Sequence, residues 1–377
     1  MTFTRYELTI PVTLTSELHI GGVDEIPERD GEGTVIRFCR NGLKEPTIPG
    51  RSIRGAVRAA CDVARQTLKD AGHPAAQDGG AFSKKNWISL WGDNSLDTGK
   101  SIRDRGLRSD DSLPIRQSAL TFHAVSFPEY KDSDSGDSPL PRRHGVGIDR
   151  TTGAASDGAL YEHEFLPRGI AFTIRITAEG RDDEPTVNKQ SDGIPGPAPS
   201  DSVKKLLEFV VDVLESGAVS LGGRTGSGQG TIQVIGPKLR RTGGTTDSDT
   251  LTAPANVLDT LIGQDEEGTP IPLELGGWSL DEPARITINW WSPTGIFVAE
   301  DENLTKQRKE KAQETDPTAN GVTEPLRDPS VPWDEAQLLI PGTSIRGALR
   351  SRASRIARTV LAARDELSTF ASHDLHE

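Results

Sequence analysis

The chain has 377 residues, with 43 Lys and Arg against 56 Asp and Glu, giving a formal net charge of −13 at pH 7. That length exceeds what one hydrophobic core usually serves, so two structural units are expected. The acidic excess excludes a protein that coats nucleic acid through bulk charge, because the whole molecule repels phosphate; any polyanion site has to be local. Two cysteines, Cys39 and Cys61, make neither a metal-ligand spacing nor a disulfide framework and read as small buried side chains in a reducing compartment. Met1–Tyr6 opens no signal peptide and no apolar run reaches the length of a membrane span, so the expectation is a cytoplasmic protein with no membrane partner.

Along the chain, Tyr6 to Ile20 alternates apolar and polar positions (Leu8, Ile10, Val12 and Leu14 with threonines between), the period of a half-buried strand. Gly21-Gly22 then turns the chain into an acidic loop, Val23 to Glu32, which returns through a short strand at Val35 to Phe38. Pro49 and Gly50 stop any strand, and Ser52 is placed to cap a helix whose apolar positions Ile53, Val57, Ala60, Cys61, Ala64 and Leu68 share one face. Arg54, Arg58 and Arg65 line another face of that helix. The Asp- and Ser-rich stretch Lys131 to Asp137 reads as a mobile loop tip outside the core, and Arg181 to Ser202 as a mobile connection rich in Pro, Gly and Asp. A second amphipathic helix is expected over Val203 to Leu214, ended by Gly217. The glycine-rich run Leu221 to Gly230 follows, and a strand at Thr231 to Ile235 closes the unit. Strand, helix, two strands, helix, glycine loop and strand is the order of a ferredoxin-like (RRM-like) βαββαβ core with insertions, an α+β architecture.

Ile48-Pro49-Gly50-Arg51-Ser52-Ile53-Arg54-Gly55-Ala56-Val57-Arg58 returns as Ile340-Pro341-Gly342-Thr343-Ser344-Ile345-Arg346-Gly347-Ala348-Leu349-Arg350. A duplicated module is the simplest source of such a repeat. It divides the chain into a first unit at 1–240, a polar linker at 241–282 and a second unit at 283–377. The second unit carries an alternating segment at Ile286, Ile288 and Trp290 and the repeated helix, and so matches only the N-terminal half of the first.

Each repeat offers a helix N-terminus, small residues that admit close backbone approach, and arginines; such a combination can hold a phosphate. In the second copy Arg346, Arg350, Arg352, Arg355 and Arg358 occur with no acidic residue from Ile340 to Arg358, a local bias that marks an anion-facing helix within an acidic chain. The run Gly222-Gly223-Arg224-Thr225-Gly226-Ser227-Gly228 supplies flexible amides, hydroxyls and one guanidinium, although no Gly-Lys-Ser/Thr ending makes it a P-loop. A glycine-rich hairpin with no ligand is the alternative reading of that run. Val23 to Glu32 concentrates carboxylates at Asp24, Glu25, Glu28, Asp30 and Glu32, which could act as base or metal ligands in strand cleavage.

Four segments resemble the RAMP superfamily of CRISPR systems, specifically the backbone subunits that line guide RNA in type III effector complexes. They are Leu18-His19-Ile20-Gly21-Gly22, the Ile48–Arg58 turn and helix, the stretch from Gly147 through Arg150 to Phe165 as a central hairpin, and the glycine loop Gly222–Gly230. The second unit resembles the first half of another RAMP core. The resemblance implies that His19, Gly21, Gly22, Arg51, Ser52, Arg54, Arg58, Arg150, Gly223, Arg224, Gly226 and Ser227 contact RNA, with Ser344, Arg346 and Arg350 doing so in the second unit. It further implies a cleavage acid in the loop before Val35-Ile36-Arg37. Glu32 stands at that position, with Asp30 two residues earlier and Asp24 near the loop's start; Glu324 and Asp328 are the counterparts in the second unit. A divalent cation such as Mg2+ would assist such cleavage. Guide RNA, complementary target RNA and other effector subunits, one of them completing the second unit, are the implied partners. Two other readings stay open: a non-catalytic scaffold of the same complex, and a glycine-loop enzyme acting on a nucleotide.

Overall fold

A computed structural model describes residues 3–27, 34–92, 118–134, 136, 138–148, 155–182, 199–244, 269–275, 340 and 342–363, together with 278, 287, 289, 291 and 293. Its centre is β1 (Phe3–Leu14), where Tyr6, Leu8, Ile10, Val12 and Leu14 are all buried while Arg5 is exposed and Glu7, Thr9, Pro11 and Thr13 are half-buried. The period-two pattern thus becomes one core face and one wetter face.

The main sheet is antiparallel and pairs β1 on one side with β9 (Ala171–Arg181) and on the other with β10 (Ile232–Val234) and β11 (Lys238–Gly244). β5 (Leu120–Phe122) lies outside β9, giving the spatial order closing strand, β1, β9, β5. With α1 (Gly50–Asp70) between β1 and β5, and α3 (Ser200–Glu215) between β9 and β10, this is the expected ferredoxin-like βαββαβ core. The closing strand is longer than Thr231 to Ile235. Gly236, at φ +56°, and Pro237, which has no N–H to donate, interrupt the ladder, after which β11 resumes pairing with Phe3–Thr9. β12 (Thr269–Ile271), inside the stretch read as a linker, adds a further strand to β11. Trp278 from the same stretch packs against Phe82 and Phe209.

The insertions build a second sheet in the order β2 (Gly21–Pro27), β3 (Thr34–Phe38), β8 (Ala155–Glu164), β7 (Arg142–Ile148). β7 and β8 form the expected hairpin, and β3 runs parallel to β8. A short ladder of β4 (Thr47–Ile48) with β6 (Val125–Ser126) leads into the first I-P-G turn.

α1 starts because Pro49, extended at φ −61° and ψ 138°, presets the entry, and Gly50 allows the turn to press on β5. A Cβ at Gly50 would lie 2.0 Å from the Phe122 carbonyl oxygen. Ser52 lies in the first turn rather than at the cap, which makes no side-chain capping bond. Ile53, Val57, Cys61 and Leu68 are buried, as the helical spacing predicts, each large side chain contributing about 1.5–3 kcal/mol of transfer free energy. α3 is buried on nearly every face, from Leu206 through Leu214, because the sheet, α1 and α2 (Lys84–Trp91) surround it. Gly217 follows its end in the left-handed region. Cys61 is fully buried and its thiol pKa is pushed well up by that burial, consistent with a packing role; Cys39 is half-buried. α4 (Gly342–Ala363) carries the second repeat. Ile286, Ile288 and Trp290 lie outside the described residues. No described helix is long and apolar enough to cross a membrane.

Candidate nucleic-acid interface

The glycine loop is laced to the end of the first strand segment. The Gly223 amide donates to the His19 carbonyl at 2.9 Å, the Gly230 amide to the Glu17 carbonyl at 2.7 Å, and the Leu221 amide to the Gly230 carbonyl at 2.8 Å. Gly222 has a positive φ and no room for a side chain, since a Cβ there would lie 2.2 Å from the His19 carbonyl oxygen. Arg224 adopts the left-handed conformation at φ 58°, which is uncommon for a residue with a side chain and is held here by two contacts. Its guanidinium lies 4.8 Å from the Tyr161 ring centroid and donates to the Tyr161 hydroxyl at 2.9 Å. Gly145, opposite on β7, makes space for that ring: a Cβ would lie 2.3 Å from it.

Beneath the loop lie two imidazoles. His19 Nδ1 is 2.6 Å from the Glu164 carbonyl oxygen, which can only accept, so Nδ1 carries the proton. The His163 ring packs edge-on to it, with centroids 5.3 Å apart, and neither of its ring nitrogens has a hydrogen-bond partner among the described residues. Burial, then the Arg224, His19 and Arg143 charges, lower the His163 pKa to about 3. Burial also lowers that of His19, against the opposing pull of the Glu164 carbonyl. Both rings are therefore neutral at pH 7. From sequence, His163 carries no pattern; its neighbours His19, from the segment after β1, and Arg224, from the glycine loop, are over a hundred and about sixty residues away respectively.

The α1 arginines do not form a free cationic face. Arg54 Nη2 donates to the Trp91 carbonyl, and Arg65 Nε donates to the Phe82 carbonyl at 2.6 Å while its guanidinium sits 5.5 Å from the Trp87 ring centroid. Arg58 is mostly buried beside Asp62, at 3.8 Å. Arg54 and Arg65 thus tie α1 to the segment around α2, a role that only the folded chain reveals. The amides of Ser52 and Ile53 both donate to the Pro49 carbonyl, at 2.8 and 3.3 Å. Arg51 remains exposed.

The second repeat arrives at the loop of the first. Gly342, at the start of α4, is seated against Ser227, such that a Cβ there would lie 2.1 Å from the Ser227 carbonyl oxygen. A Cβ on Gly226 would lie 3.1 Å from a guanidinium nitrogen of Arg346. Gly226, Ser227, Arg346 and the neighbouring Arg224 therefore share one locality, which sequence reasoning assigned to two separate units. Ser344 and Arg350 are exposed on the same helix.

The segment Val23 to Glu32, expected as a loop, begins in strand. Asp24 belongs to β2, while Asp30, Glu32, Glu324, Asp328 and Arg150 lie outside the described residues. What the structure adds is the anchor of the strand after that loop. Glu164, fully buried, accepts from the Phe38 amide at 2.9 Å and pairs with Arg37 at 3.5 Å and Arg40 at 2.8 Å. Asp132 completes the network with contacts to Arg37 at 3.2 Å and Arg40 at 2.9 Å, and is itself buried. The expectation that Lys131 to Asp137 lies outside the core fails at Asp132, because two buried guanidiniums from β3 and the residues just after it need a carboxylate. Among the described residues no group of three or more His, Cys, Asp or Glu is arranged to hold a metal ion.

An antiparallel ferredoxin-like sheet with a glycine loop that carries Arg224 and lies beside Arg346 defines an α+β domain whose loop offers guanidiniums and amides to an anionic chain. The protein belongs to the RAMP superfamily: the family model matches residues 12–233, more than half of the chain, from within β1 to within β10. RAMP proteins are CRISPR-associated and bind RNA within CRISPR complexes. No curated protein matches the chain.

Proposed function

We propose that the chain is a guide-RNA-binding backbone subunit of a type III CRISPR effector ribonucleoprotein. The observation that carries this reading is the meeting of the two repeats, in which Arg346 at the start of α4 overlies Gly226 in the loop that also holds Arg224. Guanidiniums and flexible amides grouped in this way suit successive phosphates of one RNA strand, and the repeat supplies them without making the whole surface basic. The Tyr161 ring, half-buried under Arg224, offers an aromatic face next to the same loop.

Cleavage of guide-paired target RNA is the second part of the proposal. Asp30 and Glu32 would hold a divalent cation such as Mg2+, whose chemistry would be to stabilise charge developing at the scissile phosphate. The Arg37–Arg40–Glu164–Asp132 network fixes β3, the strand that follows Asp30 and Glu32 in the chain.

The test is purification of the tagged chain from cells that express the genes flanking it, followed by sequencing of bound RNA. Short RNAs with a constant 5′ end support the guide-bound subunit, and a complex free of RNA sinks it. With guide loaded, loss of target cutting but not of guide in Asp30→Ala or Glu32→Ala variants assigns the acid; unchanged cutting in both removes the proposed cation site, and no cutting by the parent protein leaves a binding-only scaffold.

A further inference from the structure

The contact between α4 and the glycine loop is small, and the groups that meet in it carry charge of one sign. No described residue of α4 is buried. Gly342 sits on the Ser227 carbonyl, and Nη1, Cζ and Nη2 of Arg346 lie 3.1, 3.4 and 3.7 Å from the position a Cβ would take on Gly226. The loop residues Thr225, Gly226 and Gly228 are themselves exposed. A contact that buries so little apolar surface gains little from the hydrophobic effect, so the polar groups at it decide how firmly α4 is held.

Those groups are cations without a counter-ion. Arg224 stands two residues before Gly226, and α4 brings Arg346 and, one turn further, Arg350. Neither Leu221–Gly230 nor Ile340–Arg358 contains an Asp or Glu, and Arg346 makes no ion pair among the described residues. Arg224 is held by the Tyr161 ring and hydroxyl, which position its guanidinium and leave its charge uncompensated. Seating α4 on the loop therefore gathers like charges, which costs Coulomb energy until an anion enters between them. A phosphate oxyanion can accept from two guanidiniums at once and turns that cost into attraction. Glycine at 226 and at 342 keeps the two surfaces close enough for one anion to span, since a side chain at either position would hold them apart.

We propose that the glycine loop and α4 form a clamp closed by phosphate: an anionic group held by Arg224 and Arg346 locks the second repeat onto the first module. Binding of the polyanion and docking of α4 are then one coupled equilibrium. The proposal rests on the guide-RNA reading for the identity of the polyanion, and on the loop contact for the phosphate chemistry. The coupling is reciprocal, so the factor by which docked α4 raises affinity for RNA is the factor by which RNA raises docking. In the absence of an anion α4 keeps a weak seat on the loop.

The experiment measures the distance between the two modules. Ketone-bearing residues replacing the exposed Val63 on α1 and Thr359 on α4 carry nitroxide labels and spare Cys39 and Cys61. Pulsed electron resonance on the full chain in potassium chloride is expected to give a broad distance distribution. A single-stranded RNA of mixed sequence at the same ionic strength should narrow it. A distribution as narrow before RNA as after, or as broad with RNA bound as without, overturns the clamp. Gly342→Ala removes no charge, yet is expected to lower RNA affinity roughly tenfold and to keep the distribution broad, with an unchanged melting temperature. Parental RNA affinity in that variant also overturns the proposal. If the parent chain binds no RNA, the guide-RNA reading fails, and inorganic phosphate at matched ionic strength then decides the clamp alone: narrowing sustains it, and an unchanged distribution overturns it.

Discussion

The first and second I-P-G helices have nearly the same sequence over eleven residues and opposite surroundings. α1 buries its apolar stripe against β5 and α3, whereas α4 touches the glycine loop at its N-terminal turn and leaves Ile345, Leu349, Ile356 and Val360 exposed among the described residues. The difference teaches that the repeat encodes a helix and a face, while the cover for that face is a separate matter. It also separates two uses of one glycine. Gly50 lets α1 press on the carbonyl of Phe122 in β5; Gly342 lets α4 press on the carbonyl of Ser227 in the glycine loop.

The sharpest way to break the comparison is to place the same charge on both stripes. Val57→Asp buries a carboxylate with no partner and is expected to cost more than about 4 kcal/mol, enough to unfold the first module. Leu349→Asp in the isolated chain is expected to shift stability by less than about 0.5 kcal/mol. Urea unfolding of the two variants, followed by circular dichroism, checks this, and equal losses would mean that α4 is buried after all.

A methyl group at each glycine comes next. Gly50→Ala should destabilise the first module by about 1–3 kcal/mol, because the clash is with backbone and cannot be relieved by a rotamer. Gly342→Ala should leave that stability unchanged and instead lift α4 from the loop, read as faster hydrogen exchange at Thr225–Gly228. Protection of those amides at the parental level would contradict the contact.

The floor under the loop gives a pH dependence. His163 titrates at about 3 in the folded protein against about 6.5 in the unfolded chain, and His19 is also lowered. Below pH 6.5 the unfolded state takes up protons that the folded state refuses, so this stability is whole above that pH and falls as the solution is acidified. For His163 the expected loss is roughly 1.4 kcal/mol per pH unit through the range between the two pKa values. Thermal melts from pH 7.5 to 5 should show it, and His163→Phe should flatten the slope; an unchanged slope would mean that His163 is not held neutral in the fold.

The smallest effect distinguishes two equivalent arginines. Arg54→Ala removes a charged donor from the Trp91 carbonyl and should cost about 1 kcal/mol, discounted for the guanidinium's partial exposure. Arg346→Ala should leave stability unchanged and lower the salt slope of RNA binding by about one unit. Filter binding at several salt concentrations reports the second result, and the reverse assignment would exchange the roles given to the two helices.

Much of the frame was legible because it is local. Alternation in β1, the Pro-Gly entry to α1, the stripe Ile53, Val57, Cys61 and Leu68, and the glycine loop with its positive-φ positions each follow from a period or a backbone requirement of neighbouring residues. The candidate site was legible in parts but not as an arrangement. Arg54 and Arg65 looked like a free cationic face until the carbonyls of Trp91 and Phe82 took them up. Asp132 looked like a loop-tip charge until Arg37 and Arg40 enclosed it, and His163 had no visible neighbour at all.

By itself, then, the sequence determined the α+β order, the two I-P-G helices and the local cationic bias within an acidic chain, since each is written in residues close together. Only the tertiary structure decided which arginines are engaged by carbonyls, that Glu164 and Asp132 form one buried network, that α4 begins on the glycine loop, and that its stripe is uncovered. Those outcomes depend on which groups meet across long stretches of chain, where desolvation has to be balanced by a partner that no local pattern names.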